Sequence, residues 1–228
     1  MIGAMKRKTA IAFSVAALVP ALAAAKGEVR RSDRPFFNPP MSAPLRSGLS
    51  ELRVSGSTGV TEGEWIEIAH GLKEKGASVV RLSSDPAAEP GPSAAGPRAL
   101  FLDADSPGKP DPADVDRFVE FMRERPEGEW VHVRGGESDA ATTAFMAMAD
   151  MMKNARGVPF KDILRRQSAN GGTDLLDAGK SSRFASRDRR QLRAFLRLFH
   201  EYARKNADGF ATPWSDWEAI KASGKGRR

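Results

Sequence analysis

Cysteine is absent from this chain of 228 residues, and its absence excludes several kinds of chemistry at once. No disulfide can hold the fold together, so the packing of an apolar core has to do so. No thiolate is available as a nucleophile or as a soft metal ligand. A chain of this length can form one domain with a sizeable core. Any catalysis therefore has to rely on oxygen and nitrogen groups.

Histidine is scarce as well, and the chain contains only His70, His132 and His200. They lie far apart and lack the short spacing typical of zinc ligands, so neither a metal site nor another cofactor is predicted. A serine hydrolase built on Ser138 and His132 is disfavoured too. Such a triad needs a histidine that reaches back to the serine, which neighbouring positions on one strand and loop seldom provide.

The net charge of +7 is a modest excess of basic residues. Three of these charges belong to Lys6, Arg7 and Lys8, and the remainder is spread along the sequence. Residues 219–228 form a small basic tail, which we interpret as a solvated end. Nucleic-acid-binding proteins concentrate positive charge on one surface, so a nucleic-acid partner is not predicted.

The first 25 residues have the pattern of a secretory signal peptide. A basic start precedes an apolar run from about Ala10 to Leu22, and small residues near Ala23 to Ala25 are suited to cleavage. The run is shorter than the roughly 20 residues that span a bilayer, which disfavours the alternative of an uncleaved anchor. We therefore expect export to the periplasm or beyond, with no further membrane contact. Residues 26–49 are interpreted as an extended N-terminal arm.

Residues 50–218 alternate strand and helix patterns and are predicted to form one domain. Helices are predicted after Thr61, after Asp111 and from Ala140 to Asn154, then at 160–167 and 191–203. Strands are predicted at 52–57, 78–82, 98–102 and 130–133, with a loop at 83–97. This alternation predicts an α/β fold with a mainly parallel sheet that helices cover on both faces.

The centre of the domain is the stretch from Trp130 to Gln167. It begins with a short apolar strand, continues through Gly135 and Gly136, and ends in a helix rich in methionine. A strand followed by a glycine loop and a helix N-terminus aims backbone N–H groups and the positive end of a helix dipole at one point. The pattern is typical of an anion-binding loop.

This stretch resembles the bacterial phytase-like protein tyrosine phosphatases, which are cysteine-dependent inositol-phosphate phosphatases with the signature W-x-H-F-H-C-x-A-G-x-G-R-T-T-x-F-M. The matching positions are Trp130, His132, Thr142, Thr143, Phe145, Met146, Asp150, Asn154, Arg166 and Gln167. Similar stretches occur at 52–57, 171–176 and 212–217. The resemblance covers residues 52–217 and implies a tyrosine-phosphatase-like fold.

The positions that carry the chemistry of that family differ in this chain. The nucleophilic cysteine falls on Gly135, the phosphate-binding arginine on Ala141, and the histidine before the cysteine on Arg134. Asp105 is the nearest candidate for the general acid, although strict spacing places Ser106 there. The resemblance therefore implies a pseudophosphatase that keeps the frame and lacks the active site.

Two interpretations of the altered loop follow from the resemblance. The loop could bind an inositol phosphate or another phosphorylated ligand through the amides of Gly135 and Gly136, together with Arg134. His132 is expected to be buried in the central strand and to donate a hydrogen bond to the loop, as its counterpart does in the family. The alternative is a relic, retained because strand, loop and helix still build the core.

Two further functions remain open at this point. Residues 100–106 resemble the aspartate motif of haloacid-dehalogenase-type phosphatases, in which Asp103 would attack phosphorus and Asp105 would help to hold a metal. The second open function is that of a structural periplasmic protein, which would act through contacts with a partner. The sequence names no protein partner for it.

Overall fold

The computed structural model describes residues 36–37, 53–74, 76–83, 98–126, 128–176 and 186–224. The interpretations of residues 1–25 as a signal peptide and of residues 84–97 as a loop lie outside these ranges. Most of the predicted arm and residues 225–228 of the predicted tail lie outside them too.

A five-stranded sheet organises the domain. Its strands are β1 (Phe36–Phe37), β2 (Val54–Thr58), β3 (Ser78–Leu82), β4 (Ala99–Leu102) and β5 (Val131–Gly135), in the spatial order β1-β2-β5-β3-β4. β2, β5, β3 and β4 run parallel, and β1 pairs antiparallel with β2 at the edge. The predicted α/β class with a mainly parallel sheet is confirmed. β5, which leads into the glycine loop, is the middle strand of the sheet.

The described residues form six helices. They are α1 (Glu62–Glu74), α2 (Pro112–Arg123), α3 (Asp139–Asn154), α4 (Phe160–Ala169), α5 (Ser186–Lys205) and α6 (Trp214–Ala222). α6 has no counterpart in the prediction, and its last residues fall within the stretch interpreted as a solvated tail. Residues 219–224 are exposed, in agreement with that interpretation, and the ammonium group of Lys221 forms a surface bond to Glu201 at 2.7 Å. None of the helices in the described ranges has the length and apolar character needed to cross a bilayer.

Helices cover both faces of the sheet. On one face, Trp65 and Leu72 of α1 pack with Val79 of β3 in a small cluster. On the other face, the neighbouring Val80 joins a large core that includes α2 to α6. Successive side chains of a strand point to opposite faces, so β3 contributes to both clusters. Met146, Met148 and Met151 of α3 are fully buried in the large core.

A buried polar network joins α3 to α4. Asp150 accepts hydrogen bonds from Asn154 (2.9 Å), Arg166 (2.6 Å) and Gln167 (3.1 Å). Burial raises the pKa of Asp150, and the charge of Arg166 and the three hydrogen bonds act in the opposite direction. Four of the positions that the sequence shares with the phytase-like signature thus belong to one buried polar network.

The last helix closes the large core with an aromatic cluster. Trp214 is fully buried and contacts the rings of Phe195, Phe199, Tyr202 and Trp217 at centroid separations of 5.4 to 5.6 Å. The hydroxyl of Tyr202 donates to the carbonyl of Thr212 at 2.7 Å, just before α6. The tryptophans of the 212–217 motif thus fix α6 against α5.

Candidate functional site

The predicted strand, loop and helix are present in the structure. β5 ends at Gly135, residues 136–138 form the loop, and α3 begins at Asp139. Ser138 caps the helix, since its hydroxyl accepts a hydrogen bond of 3.1 Å from the N–H of Ala141. The free N–H groups of the loop and the first turn of α3 create a positive electrostatic potential there.

A carboxylate of the same chain occupies this position. Asp105, from the segment after β4, accepts hydrogen bonds from the N–H of Glu137 (2.6 Å) and the N–H of Ser138 (3.0 Å). A β-carbon at Gly136 would lie 2.6 Å from an oxygen of Asp105, so the close approach depends on glycine. The loop therefore holds a carboxylate of its own chain, through the amides of Glu137 and Ser138 rather than those of Gly135 and Gly136.

The position of the family nucleophile is filled by a threonine. The hydroxyl of Thr142 takes the space that a β-carbon at Gly135 would need, and the hydroxyl of Thr58 would lie 3.4 Å from such an atom. Thr142 accepts a hydrogen bond from Thr58 (2.9 Å) and donates one to the carbonyl of Ser138 (3.2 Å). These groups are buried, so the threonine is held in place on both sides.

Ala141, at the position of the family arginine, faces the protein interior. It is 3% exposed and packs within the large core. A guanidinium built there would meet apolar side chains and would lose its hydration. The first turn of α3 is thus adapted to a methyl group.

His132 is not bound to the loop, and the prediction of that hydrogen bond is wrong. The ring is fully buried, with Nδ1 2.8 Å from the hydroxyl of Ser55 and Nε2 2.9 Å from that of Ser57. Both serines belong to β2, where Ser55 lies directly beside His132 in the parallel register. Both ring nitrogens therefore have partners on the neighbouring strand.

The imidazole of His132 is neutral at physiological pH. Burial lowers its pKa to about 3, with a further contribution from the positive charge of Arg134. The indole N–H of Trp130 donates to the hydroxyl of Ser55 at 2.8 Å. This bond favours donation by Ser55 to Nδ1 and by Nε2 to Ser57, since a neutral imidazole has one donor and one acceptor. The ring serves as a link between two strands.

Arg134 lies on the face of the sheet that α1 covers. Its guanidinium carbon is 4.1 Å from the ring centroid of Trp65, in a cation–π contact. His132 and Arg134 share this face because they are two residues apart on one strand. Arg134 thus contacts Trp65 of α1, whereas the side chain bound to the loop amides is that of Asp105.

Asp103 and Asp105 lie in different environments and are not arranged as the nucleophile and metal ligand of the haloacid-dehalogenase-type alternative. Asp103 is exposed, whereas both oxygens of Asp105 accept loop hydrogen bonds. Within the described ranges, no group of three or more histidine, aspartate or glutamate side chains is arranged to hold a metal ion.

The stretch at 171–176 packs against the first turn of α3. The N–H of Thr173 donates to the hydroxyl of Thr143 at 2.9 Å. A β-carbon at Gly172 would lie 2.8 Å from the same hydroxyl and 3.0 Å from the carbonyl of Gln167. Glycine is required here for close packing, which accounts for this part of the resemblance without a ligand.

Sequence comparisons relate the chain to proteins of Xanthomonas and Pseudomonas. It is 37% identical over 102 residues to the AvrBs1.1 proteins of Xanthomonas campestris pv. campestris and Xanthomonas euvesicatoria, which is 42% of this chain and 93% of each relative. It is 32% identical over 115 residues to the effector protein hopD2 of Pseudomonas syringae pv. tomato, which is 49% of this chain and 24% of that protein. No protein-family model matches the chain.

Solved structures with a similar fold are phosphatases. A PTP-like myo-inositol phosphatase from Mitsuokella multacida, in complex with myo-inositol-(1,3,4,5)-tetrakisphosphate, aligns with a TM-score of 0.50 and 31% identity over 56% of this chain and 21% of that one. A tandemly repeated phytase from the same organism aligns with a TM-score of 0.60 and 24% identity, over 86% of this chain and 45% of that one. A PTP-like phytase from Bdellovibrio bacteriovorus aligns with a TM-score of 0.58 and 20% identity, over 82% of this chain and 96% of that one.

These comparisons agree with the fold described above. The chain spans less than half the length of the two Mitsuokella proteins but nearly all of the Bdellovibrio phytase and of the AvrBs1.1 proteins. The chain belongs to the family of the AvrBs1.1 proteins, and its fold is that of the phytase-like protein tyrosine phosphatases.

Proposed function

We propose that this protein is a catalytically inactive relative of the phytase-like phosphatases, and that it acts by binding. The observation that carries the proposal is the Thr142 hydroxyl in the space of a side chain at Gly135. Cysteine-dependent hydrolysis needs a thiolate at that position, and the chain has none. The buried hydroxyl of Thr142 cannot replace it, because it is held between Thr58 and Ser138.

The phosphate-binding arginine and the general acid of the phytase-like phosphatases also have no equivalent at this site. The arginine that would clamp phosphate oxygens is replaced by the buried methyl group of Ala141. The candidate general acid, Asp105, has both oxygens engaged by the loop and therefore faces no leaving group. We therefore propose that this site lacks a nucleophile, a phosphate-binding arginine and a free general acid.

An inositol phosphate or other phosphorylated ligand could reach the loop only by displacing Asp105. The PTP-like myo-inositol phosphatase of Mitsuokella binds such a ligand. In this chain the internal carboxylate has a far higher local concentration than a dissolved anion and competes with it. We therefore propose that the loop is closed by Asp105 and that the protein contacts its ligand or partner elsewhere.

Export from the cytoplasm is part of the proposal. The relative from Pseudomonas syringae is named an effector protein. The basic and apolar pattern of residues 1–25 supports secretion into the periplasm or beyond. N-terminal sequencing of the protein recovered outside the cytoplasm should give a start close to residues 24–26. Recovery only from the cytoplasm, with Met1 intact, would contradict export.

A phosphatase assay tests the proposed inactivity. The mature protein is incubated with inositol hexakisphosphate or p-nitrophenyl phosphate, with and without Mg²⁺. We expect no turnover above that of a buffer control. Turnover without metal would refute the proposal. Turnover that needs Mg²⁺ and is lost in Asp103→Asn would favour the metal-dependent alternative.

A further inference from the structure

A second site lies at the opposite end of α3 from the loop. A cleft of about 430 Å³ separates the turn at residues 155–159 from α5. Its charged and polar lining consists of Arg156, Arg197, His200, Glu201 and Arg204, here called the basic cleft. α3 has 16 residues and is therefore about 24 Å long, so the basic cleft is well separated from Asp105.

Helical spacing brings the residues of α5 to one side. Arg197, His200 and Arg204 follow each other at intervals of three and four residues, which places them along one face. The inner face of the same helix carries Phe195, Phe199 and Tyr202, which are buried in the core. The arginines are therefore held on a rigid helix, and their direction is fixed by the packing of its other face.

The two arginines of α5 are available to a ligand. Both Arg197 and Arg204 are exposed, and neither forms an ion pair with any described residue. The guanidinium carbon of Arg197 is 5.8 Å from the ring centroid of Phe160, in a cation–π contact. Uncompensated cations on one wall favour an anionic ligand.

The opposite wall contributes a third cation. Arg156 follows α3, and its guanidinium donates to the carbonyl of Asn206. This bond uses part of its donor set, and the remaining N–H groups can bind other acceptors. Beside it, Nε2 of His200 lies 3.0 Å from the carbonyl of Val158, which can only accept, so this nitrogen carries the proton.

One acid lines the basic cleft, and its charge is compensated. Glu201 accepts hydrogen bonds from Lys205 (2.8 Å) and Lys221 (2.7 Å). These bonds lower the pKa of Glu201 to about 2, so the carboxylate stays ionised and paired. Together, the basic cleft and these two lysines hold five cations against one carboxylate. The excess of positive charge is local, which the spread-out net charge of the sequence does not suggest.

We propose that the basic cleft binds a compact anion that carries two or more phosphate groups. Arg197 and Arg204 are seven residues apart, about 10.5 Å along the helix axis, so each guanidinium can hold a phosphate group of its own. Each guanidinium can hold one phosphate through paired hydrogen bonds, with Arg156 facing them. The cleft volume is in the range of small-molecule sites. Soluble oligophosphates and phosphorylated lipid headgroups share this chemistry.

Calorimetric titration of the full chain with inorganic tripolyphosphate at two salt concentrations tests the proposal. We expect binding that weakens with salt and is reduced at least roughly tenfold in the double variant Arg197→Gln/Arg204→Gln. The matched control, Arg165→Gln/Arg187→Gln, removes the same charge from two exposed arginines outside the cleft and should bind within about twofold of the unchanged protein. Circular dichroism confirms that each variant is folded.

Three results would overturn the proposal: no heat with folded protein, equal loss in both double variants, or unchanged binding in the cleft variant. Vesicles containing phosphatidylinositol bisphosphate, compared with phosphatidylserine vesicles of equal charge, separate the two sources. Selective vesicle binding that soluble inositol trisphosphate displaces assigns a headgroup ligand. Tripolyphosphate binding without vesicle selectivity assigns a soluble one. The readout does not depend on phosphatase activity, so it stands apart from the proposed function.

Discussion

The carboxylate of Asp105 accepts a hydrogen bond of 2.6 Å from the backbone N–H of Glu137, which lies 32 residues further along the chain. With the second bond from Ser138, this contact gives the loop an internal anion. Helix N-termini stabilise negative charge whatever group supplies it. The Glu137 and Ser138 amides of this loop are thus satisfied within the fold by a side chain.

Removal of this internal anion should weaken the fold. Asp105→Ala leaves the N–H groups of Glu137 and Ser138 without their charged acceptor, so we expect a loss of about 1.5–3 kcal/mol in the free energy of unfolding. Urea denaturation measures it, and Asp103→Ala, at an exposed position, should change stability by less than about 0.5 kcal/mol. Phosphate should raise the melting temperature of Asp105→Ala more than that of the unchanged protein. Equal effects in both aspartate variants would contradict the assignment.

Steric exclusion at Gly135 can be measured with a double-mutant cycle. Gly135→Ala should cost about 1–3 kcal/mol, because the new β-carbon displaces the Thr142 hydroxyl and its bond to Thr58. Gly135→Ala combined with Thr142→Ala should cost at least about 1 kcal/mol less than the sum of the single changes. Gly71→Ala is the control, since a β-carbon at that helical position meets no atom within 4 Å. Simple additivity would show that the two positions do not compete for space.

Restoration of the family residues should not restore phosphatase activity. Gly135→Cys combined with Ala141→Arg places a thiol against Thr142 and a guanidinium in the large core. We expect turnover of p-nitrophenyl phosphate to stay close to background, with a loss of stability in the same protein. Activity comparable to that of a phytase-like phosphatase, assayed in parallel, would show that the loop is less altered than the geometry indicates.

The neutral His132 should make stability depend on pH. Its pKa is about 3 in the folded protein and near 6.5 when unfolded, so the unfolded state binds the extra proton between these values. Stability contributed by the neutral ring is present above pH 6.5 and is lost as the pH falls. Between pH 6.5 and 4.5 the loss should be about 2 kcal/mol.

Two histidine variants isolate that contribution from the carboxylates. His132→Gln cannot titrate, so its unfolding free energy should fall about 2 kcal/mol less over the same pH interval. His70→Gln, whose side chain is 76% exposed in the folded protein, should follow the unchanged protein. Parallel pH curves for all three proteins would show that His132 does not contribute.

The buried pair of Asp150 and Arg166 should tolerate the loss of its cation poorly. Arg166→Met leaves a carboxylate that is 1% exposed without its charged partner, so we expect a cost of roughly 3–5 kcal/mol. Arg165→Met is the matched control, because it breaks the exposed pair with Asp162 and should cost at most about 1 kcal/mol. Asp150→Asn combined with Arg166→Met should recover part of the loss. A similar cost for both arginine variants would contradict the role of burial.

Local sequence patterns predicted most of the elements. The helix predicted after Thr61 begins with a capping box of Thr61 and Glu64, with hydrogen bonds of 2.8 and 3.3 Å. Asp111 caps the helix that starts at Pro112, as predicted. The strand at Ser78–Leu82 has the predicted bounds. Caps, turns and apolar periodicity act within a few residues, so they are readable from the chain alone.

The absence of a nucleophile was determined by the sequence, since a chain without cysteine cannot form a thiolate in any fold. The resemblance likewise located Gly135 and Ala141. Only the tertiary structure decided what fills the vacated positions: Thr142 beside Gly135 and Asp105 at the loop amides. It also decided the partners of His132, which lie 75 and 77 residues away on β2. Strand order and parallel register set these contacts, and both depend on how distant segments pack together in the folded chain.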